Sequence, residues 1–168
     1  MTTNNSYSTP QLCALVLFRL CVGWHFAYEG IVKILKPNWT SYPYLMDSGG
    51  FLGDFFKEMA GNATILQYIN ILNEWSLLLI GLGLITGTLG RLSSMGALLL
   101  LGFYTLSHPS YIGASYMMPF EGSYLWIDKN IVEMAGILVL LLFPTSQIIG
   151  IDRFLKKTVP LFSKLKLI

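Results

Sequence analysis

Four long apolar segments dominate this chain, and their length constrains the fold more than any other feature. They lie at about residues 12–35, 65–89, 92–107 and 124–143. The hydrocarbon core of a bilayer is roughly 30 Å thick, and an α-helix needs about 20 apolar residues to cross it. A helix also satisfies its own backbone hydrogen bonds, which a bilayer requires. The sequence therefore predicts an all-α integral membrane protein, folded as a four-helix bundle.

The overall composition supports this class. Hydrophobic residues make up 54% of the chain and charged residues only 12%, whereas a soluble domain is roughly 45–50% apolar. We expect one membrane domain over residues 1–168. The net charge of +2 is small and the basic residues are concentrated near the C-terminus, which excludes the broad basic face of a nucleic-acid-binding protein.

The charge distribution predicts the topology. Cytoplasmic segments of membrane proteins carry an excess of Lys and Arg, so we expect the tail at 150–168 to be cytoplasmic. With an even number of spans, the N-terminus is cytoplasmic as well, and the two longer loops face outward. The tail contains one acid, Asp152, among the basic residues Arg153, Lys156, Lys157, Lys164 and Lys166.

The first outer loop contains a short amphipathic stretch at about 51–60. Phe51, Phe55 and Phe56 recur at helical spacing, with charged residues between them. This pattern predicts a short helix on the membrane surface, next to an interfacial belt of Trp and Tyr. An ordinary packed loop is the alternative interpretation.

Several ionisable side chains lie inside the apolar segments and indicate where a site could be. A charge in hydrocarbon costs roughly 3 to more than 10 kcal/mol, so such groups pair, face the bundle interior or line a water-filled site. In the predicted topology most of them fall in the outer halves of the four helices and form one polar layer. We take this layer as the candidate intramembrane site; its members are Arg19, His25, Glu29, Lys33, Asn73, Glu74, His108, Lys129, Asn130 and Glu133.

The spacing within the first segment predicts one set of pairs. His25, Glu29 and Lys33 are four residues apart, and residues at this spacing stack along one face of a helix. We therefore expect Glu29 to pair with His25 or with Lys33.

Arg19 lies deeper in the first segment, and we expect it to reach Glu74 or Glu133. One interpretation of the whole layer is a structural network of ion pairs that fixes helix packing. The other is a site for a polar head, such as a quinone ring, an anion or a transferred proton. Both can hold at once.

The two histidines, His25 and His108, are candidate proton carriers, because an unperturbed pKa of about 6.5 suits that role. Their spacing does not match a metal or haem site, and we predict no metal centre. Cys13 and Cys21 are eight residues apart, about 12 Å along a helix, which is beyond disulfide reach. We expect both to be buried as small apolar residues.

Glycines in the second segment predict close helix packing. Gly83 and Gly87 form a G-x-x-x-G pair inside an apolar helix, which allows a neighbouring backbone to approach. The spacing does not fit the G-x-G-x-x-G motif of a dinucleotide-binding loop.

Short motifs along most of the chain resemble the DoxX family. Arg19-Leu20, followed by Gly23, Gly30 and Lys33, looks like the R-L-x-x-G…G-x-x-K pattern of the first helix of that family. The similarity covers about 12–154. Later blocks that are similar to its bacterial members are Ser107-His108-Pro109, Glu121-Gly122-Ser123-Tyr124, Lys129-Asn130 with Glu133, and Gly150-Ile151-Asp152.

This resemblance implies a multi-pass protein of the bacterial inner membrane, related to the membrane subunit of thiosulfate:quinone oxidoreductase. It leads us to expect a non-catalytic accessory or anchoring subunit of a quinone-linked redox system. Quinone is then the candidate cofactor, and the expected partners are the lipid bilayer, a redox enzyme subunit and a second copy of the chain. Two alternatives stay open: a subunit of a small-solute transporter or channel, and an assembly factor for another membrane protein.

Overall fold

The fold consists of helices joined by turns and loops. The computed structural model describes residues 7–118 and 125–158, apart from the side chain of Lys157, and this part contains no strand. The predicted all-α class is confirmed. The helices are α1 (Thr9–Leu35), α2 (Tyr42–Met46), α3 (Gly53–Gly61), α4 (Ala63–Thr86), α5 (Gly90–Ser107), α6 (Lys129–Leu142) and α7 (Asp152–Thr158), with a 3-10 turn at Thr145–Gln147.

Two of the helices, α1 and α4, are long and apolar enough to cross a membrane, judged by length and composition. The four longest helices pack in the order α1, α4, α5, α6, and α6 makes a small contact back to α1. We call the end where α1 stops and α6 begins the loop end, and the end with the α4–α5 turn and residues 143–158 the tail end. One apolar core runs between the helices; its members include Val22, Phe26, Leu77, Leu84, Leu101 and Ile137.

The backbones of α1 and α4 touch at glycines. Gly23 and Gly30 lie on one face of α1, and Gly81 lies opposite them on α4. A Cβ atom at Gly81 would stand 2.6 Å from the Cα of Ala27, and one at Gly30 would stand 2.6 Å from the backbone nitrogen of Leu78. We call this contact the glycine seam. It brings two helices closer than any larger residues would permit.

The predicted Gly83–Gly87 pair has a different role in the structure. Gly83 packs against the side chain of Ser93 on α5. Gly87 instead ends α4, because its φ of 66° is in the left-handed region and the next amide, that of Thr88, donates to the carbonyl of Gly83 at 2.9 Å. Such a glycine cap is a common helix end. As a result, α4 stops at Thr86, three residues before the predicted end.

Helix α6 begins later than predicted. The sequence suggested a start at about 124, but the helix starts at Lys129, because the carboxylate of Asp128 accepts a hydrogen bond from the amide of Ile131 at 3.0 Å and caps it. Just before this cap, Leu125 and Trp126 have positive φ values and cannot be helical. Tyr124 and the rest of the motif at 121–124 lie outside the described residues, as do Lys164 and Lys166.

In the first outer loop, the predicted amphipathic helix is present as α3. It buries Phe56 and Ala60 against Leu45 of α2 and apolar residues of α4, while Phe55 is exposed. Phe51 lies before the helix starts and is exposed. The helix therefore packs on the bundle with one face only.

The cysteines were predicted to be buried, and this prediction is wrong. Cys13 and Cys21 are both free and exposed. The buried face of α1 is formed by residues such as Val22, Phe26 and Gly30, and the two cysteines fall outside that face. They lie on the outer surface of the bundle.

Candidate functional site

A cavity of about 600 Å³ lies at the loop end. Its walls come from α1, α4, α5 and α6 and from the segment at 36–44 that follows α1. The structure places seven of the ten predicted site residues in this one lining and leaves out Arg19, Glu74 and His108. The seven are His25, Glu29, Lys33, Asn73, Lys129, Asn130 and Glu133.

His25 and Glu133 join α1 to α6 across the cavity. The Nδ1 atom of His25 lies 2.9 Å from Oε1 of Glu133. The His25 side chain is 56% exposed, whereas that of Glu133 is only 15% exposed. The carboxylate holds the Nδ1 proton, so that Nε2 accepts a hydrogen bond when the ring is neutral and donates one when it is protonated. This pair is able to exchange a proton with a bound molecule.

Lys33 is held from several sides. Its Nζ atom donates to Oδ1 of Asn73 at 3.0 Å and lies 3.9 Å from Oε2 of Glu29, as the predicted Glu29–Lys33 pairing requires. The ammonium also lies over two rings, 5.2 Å from the centroid of Trp39 and 5.7 Å from that of Tyr104. Such cation–π contacts stabilise a partly desolvated charge. Lys33 is thus a fixed positive charge in the wall of the cavity.

Asn73 connects this charge to α5. Its Oδ1 atom accepts from Lys33, and its Nδ2 atom donates to the Tyr104 hydroxyl at 2.7 Å. Both ends of the amide are therefore satisfied, which fixes its orientation.

An aromatic wall was missed by the sequence analysis. Tyr104 of α5 lines the cavity together with Trp39 and Tyr44, which were expected only in an interfacial belt. The hydroxyl of Tyr44 donates to the carbonyl of Tyr104 at 3.4 Å, and burial raises the pKa of Tyr44 well above its ordinary value. Tyr104 stands four residues before His108, one helical turn away on the same face. That spacing was the available sequence evidence for it.

His108 lies behind this wall and does not line the cavity. Its ring lies between those of Tyr44 and Tyr116, tilted by 32° and 45°, with centroid distances of 4.1 and 4.7 Å. Its Nδ1 atom lies 3.0 Å from the hydroxyl of Ser107, and its Nε2 atom lies 3.8 Å from Oδ2 of Asp47. Burial lowers the pKa of His108, although Asp47 opposes this shift. The ring supports the wall from behind.

The prediction that Arg19 reaches Glu74 or Glu133 is wrong. Its guanidinium points to the tail end, where Nη1 donates to Oγ1 of Thr145 at 3.0 Å and Nη2 donates to the carbonyl of Ile149 at 2.7 Å. The acid that interacts with it is Asp152. Six residues separate Arg19 from His25, about 9 Å along the helix, which puts it below the cavity. Glu74 of α4, which was predicted to pair with Arg19, does not line the cavity either.

The cavity combines a few polar and charged groups with walls that are mainly aromatic and apolar. Within residues 7–118 and 125–158, no group of three His, Cys, Asp or Glu side chains is placed to hold a metal ion. The lining offers hydrogen-bond donors, acceptors, charges of both signs and the titratable His25–Glu133 pair. It is suited to hold the polar ring of a small molecule and to exchange a proton with it.

Comparisons with known proteins identify the family. The model of the DoxX family matches residues 14–109, more than half of the 168-residue chain. The matched region contains most of α1 and the whole of α4 and α5, and with them His25, Lys33 and Asn73. No curated protein and no solved structure matches the chain. The chain belongs to the DoxX family of membrane proteins.

Proposed function

We propose that this protein binds the head of a quinone in its loop-end cavity and serves as an accessory subunit of a quinone-linked redox system. In this proposal it is one multi-pass domain of the bacterial inner membrane, with four spanning helices and cytoplasmic termini. The cavity then lies toward the outer face of the membrane, where the loops are. The observation that carries the proposal is the His25–Glu133 pair inside a cavity with aromatic and apolar walls.

The size and lining of the cavity fit a quinone ring. Its volume of about 600 Å³ is within the roughly 300–1,000 Å³ of small-molecule sites. Phe26, Leu77 and Leu101 provide an apolar floor, and a flat ring stacks favourably on the aromatic wall. The two carbonyl oxygens of a quinone need hydrogen-bond donors. His25 and the amide of Asn130 are available for this role.

The charges of the site support the same ligand. Reduction of a quinone to a quinol consumes two electrons and two protons, and the electrons would come from the partner enzyme. In this chain, His25 holds or releases a proton at Nε2, while Glu133 keeps the other ring nitrogen protonated and balances the charge. The fixed ammonium of Lys33 favours extra negative charge on a bound ring.

Replacement of Glu133 with glutamine tests this site. The amide keeps the shape of the side chain but no longer balances a charged His25, so we expect a short-tailed ubiquinone to bind about tenfold more weakly, which corresponds to ~1.4 kcal/mol. Binding is measured by titration calorimetry on the full chain in lipid nanodiscs.

Glu58→Gln is the matched control, because Glu58 is an exposed acid of α3 that does not line the cavity. Its affinity should equal that of the wild type. Equal affinities for both variants would refute the role of the pair, and no binding to the wild type would refute the quinone site. Solute flux through liposomes containing a wild type that binds no quinone would favour a transporter instead.

The accessory role has a separate test. When the tagged protein is solubilised gently from its native membrane, it should retain an oxidoreductase in a fixed ratio, and the complex should reduce added quinone. A preparation that contains only copies of this chain and reduces no quinone contradicts the accessory role.

A further inference from the structure

Asp47 fastens the segment that follows α5 onto the segment that follows α1. Its carboxylate accepts hydrogen bonds from the amides of Met117 and Met118, at 2.9 and 2.8 Å. The Asp47 side chain is largely buried, and the Met118 side chain lines the cavity. A single carboxylate outside the cavity therefore holds one part of the cavity wall.

The second part of this wall is held by His108. Its ring supports Tyr44, which lines the cavity, and it rests on Tyr116. Tyr116 is itself fixed, because its hydroxyl donates to the carbonyl of Pro109 at 2.8 Å. His108 and Asp47 approach each other to 3.8 Å. Tyr44 and Met118 thus depend on one ionisable pair.

We propose that Asp47 and His108 are positioning residues that control access to the cavity: an ionised Asp47 beside a neutral His108 holds Tyr44 and Met118 in place along one side of it, and protonation of the pair opens that side. The inference rests on the proposed function only in taking the cavity as a ligand site. It adds that the ligand enters and leaves past Tyr44 and Met118 and does so faster in acid.

The direction of the pH effect follows from both groups. Burial lowers the pKa of His108 below its ordinary 6.5. The wall therefore has its full stability above about pH 6.5. It loses this stability as the pH falls through the lowered pKa that His108 has in the folded protein. Burial alone would raise the pKa of Asp47, but hydrogen bonds from the two methionine amides and the charge that His108 carries in acid hold it below its ordinary 3.8. Asp47 therefore also stabilises the wall when it is ionised, and this contribution is lost at still lower pH.

The other groups around the pair do not reverse this sign. They are Tyr44, Tyr116, Tyr104, Tyr111 and Asp128. Burial raises the pKa of Tyr44 and raises that of Tyr116 to about 12, so both phenols are neutral in weak acid. Asp128, near Tyr44, contributes negative charge.

Thiol labelling measures the opening of the wall. In a Cys13→Ser, Cys21→Ser background, Leu77→Cys places a thiol in the cavity lining, and Ile80→Cys places a matched thiol on the same helix outside that lining. Leu77 and Ile80 are 3% and 9% exposed. A water-soluble maleimide is applied at about pH 7.5 and about pH 5, and each rate is divided by the rate of the unfolded chain at the same pH.

We expect the normalised labelling rate at position 77 to rise about tenfold in acid, which corresponds to a change of ~1.4 kcal/mol in the free energy of opening the wall. The labelling rate at position 80 should stay constant. Asp47→Asn should raise the rate at position 77 at neutral pH, and Asp47→Glu should restore part of the protection. Asp54→Asn, an exposed acid on α3, is the control and should have no effect.

If the labelling rate at position 77 changes neither with pH nor with Asp47→Asn, the inference is overturned. It is also overturned if the rate at position 80 rises in parallel, because that would indicate general unfolding. The assay uses no quinone. A wall that opens in a protein without affinity for quinone therefore refutes the proposed function alone, and a quinone-binding protein with a pH-independent wall refutes the inference alone.

Discussion

Replacement of Asp152 with alanine is expected to lower the free energy of unfolding by about 3–5 kcal/mol, because two backbone amides lose their charged acceptor and the buried guanidinium of Arg19 loses the acid that interacts with it. Asp152 is fully buried, and Arg19 is only 4% exposed. The carboxylate accepts from the amide of Leu89 at 2.6 Å and from that of Gly90 at 2.9 Å, where α5 begins. Without it, a buried guanidinium has no counter-charge and the first amides of α5 have no acceptor.

Unfolding of the purified protein in mixed detergent micelles, followed by circular dichroism, measures this loss. Arg153→Ala is the control, because Arg153 is the next residue and is exposed; it should change the stability by less than about 0.5 kcal/mol. The double variant Arg19→Leu, Asp152→Ala should lose less than the sum of the single variants, because no unpaired charge stays buried. Strict additivity would contradict an interaction between Arg19 and Asp152.

Replacement of Gly81 with alanine is expected to have the second large effect, a loss of about 3 kcal/mol, at the upper end of the usual cost of overpacking. The new methyl group would stand 2.6 Å from both the Cα of Ala27 and the carbonyl oxygen of Gly23. Both are backbone atoms, so the strain is relieved only if α1 and α4 move apart.

Gly102→Ala on α5 provides the opposite result in the same unfolding assay. Apart from its chain neighbours and the backbone of its own helix, no atom lies within 4 Å of a Cβ at that position. Alanine should therefore stabilise the protein by up to about 1 kcal/mol through its better helix propensity. If both variants changed the stability in the same direction, helix propensity and not backbone contact would explain the data.

The helices were the most predictable part of the fold. The end of α1 at Leu35 follows from Lys36 and Pro37, because proline cannot continue a helix. The start of α6 was less accessible. Asp128 is a good cap, but only the positive φ values of Leu125 and Trp126 show that the apolar run before it is not helical.

The site was predictable as a layer but not as a set of contacts. The spacing of His25, Glu29 and Lys33 places them on one helix face, and that face does line the cavity. Which side chain meets His25 from another helix depends on how each helix is rotated, and the glycine seam fixes that rotation for α1 and α4. Asp152 was assigned only to a basic tail, since nothing in a single sequence connects it with Arg19 across more than 130 residues.

The glycine seam also limits how the protein can move. Because the backbones of α1 and α4 touch without intervening side chains, the two helices have no soft layer in which to slide or rotate against each other. The two helices therefore form one rigid unit, and this unit fixes the positions of Lys33 and Asn73 relative to each other. α6 makes only a small contact with α1 and packs mainly on α5, so we expect any motion of the cavity wall to occur through α6 and the loop-end segments. The part of the lining on α1 and α4 is therefore a fixed frame, and we expect the other walls to carry the motion.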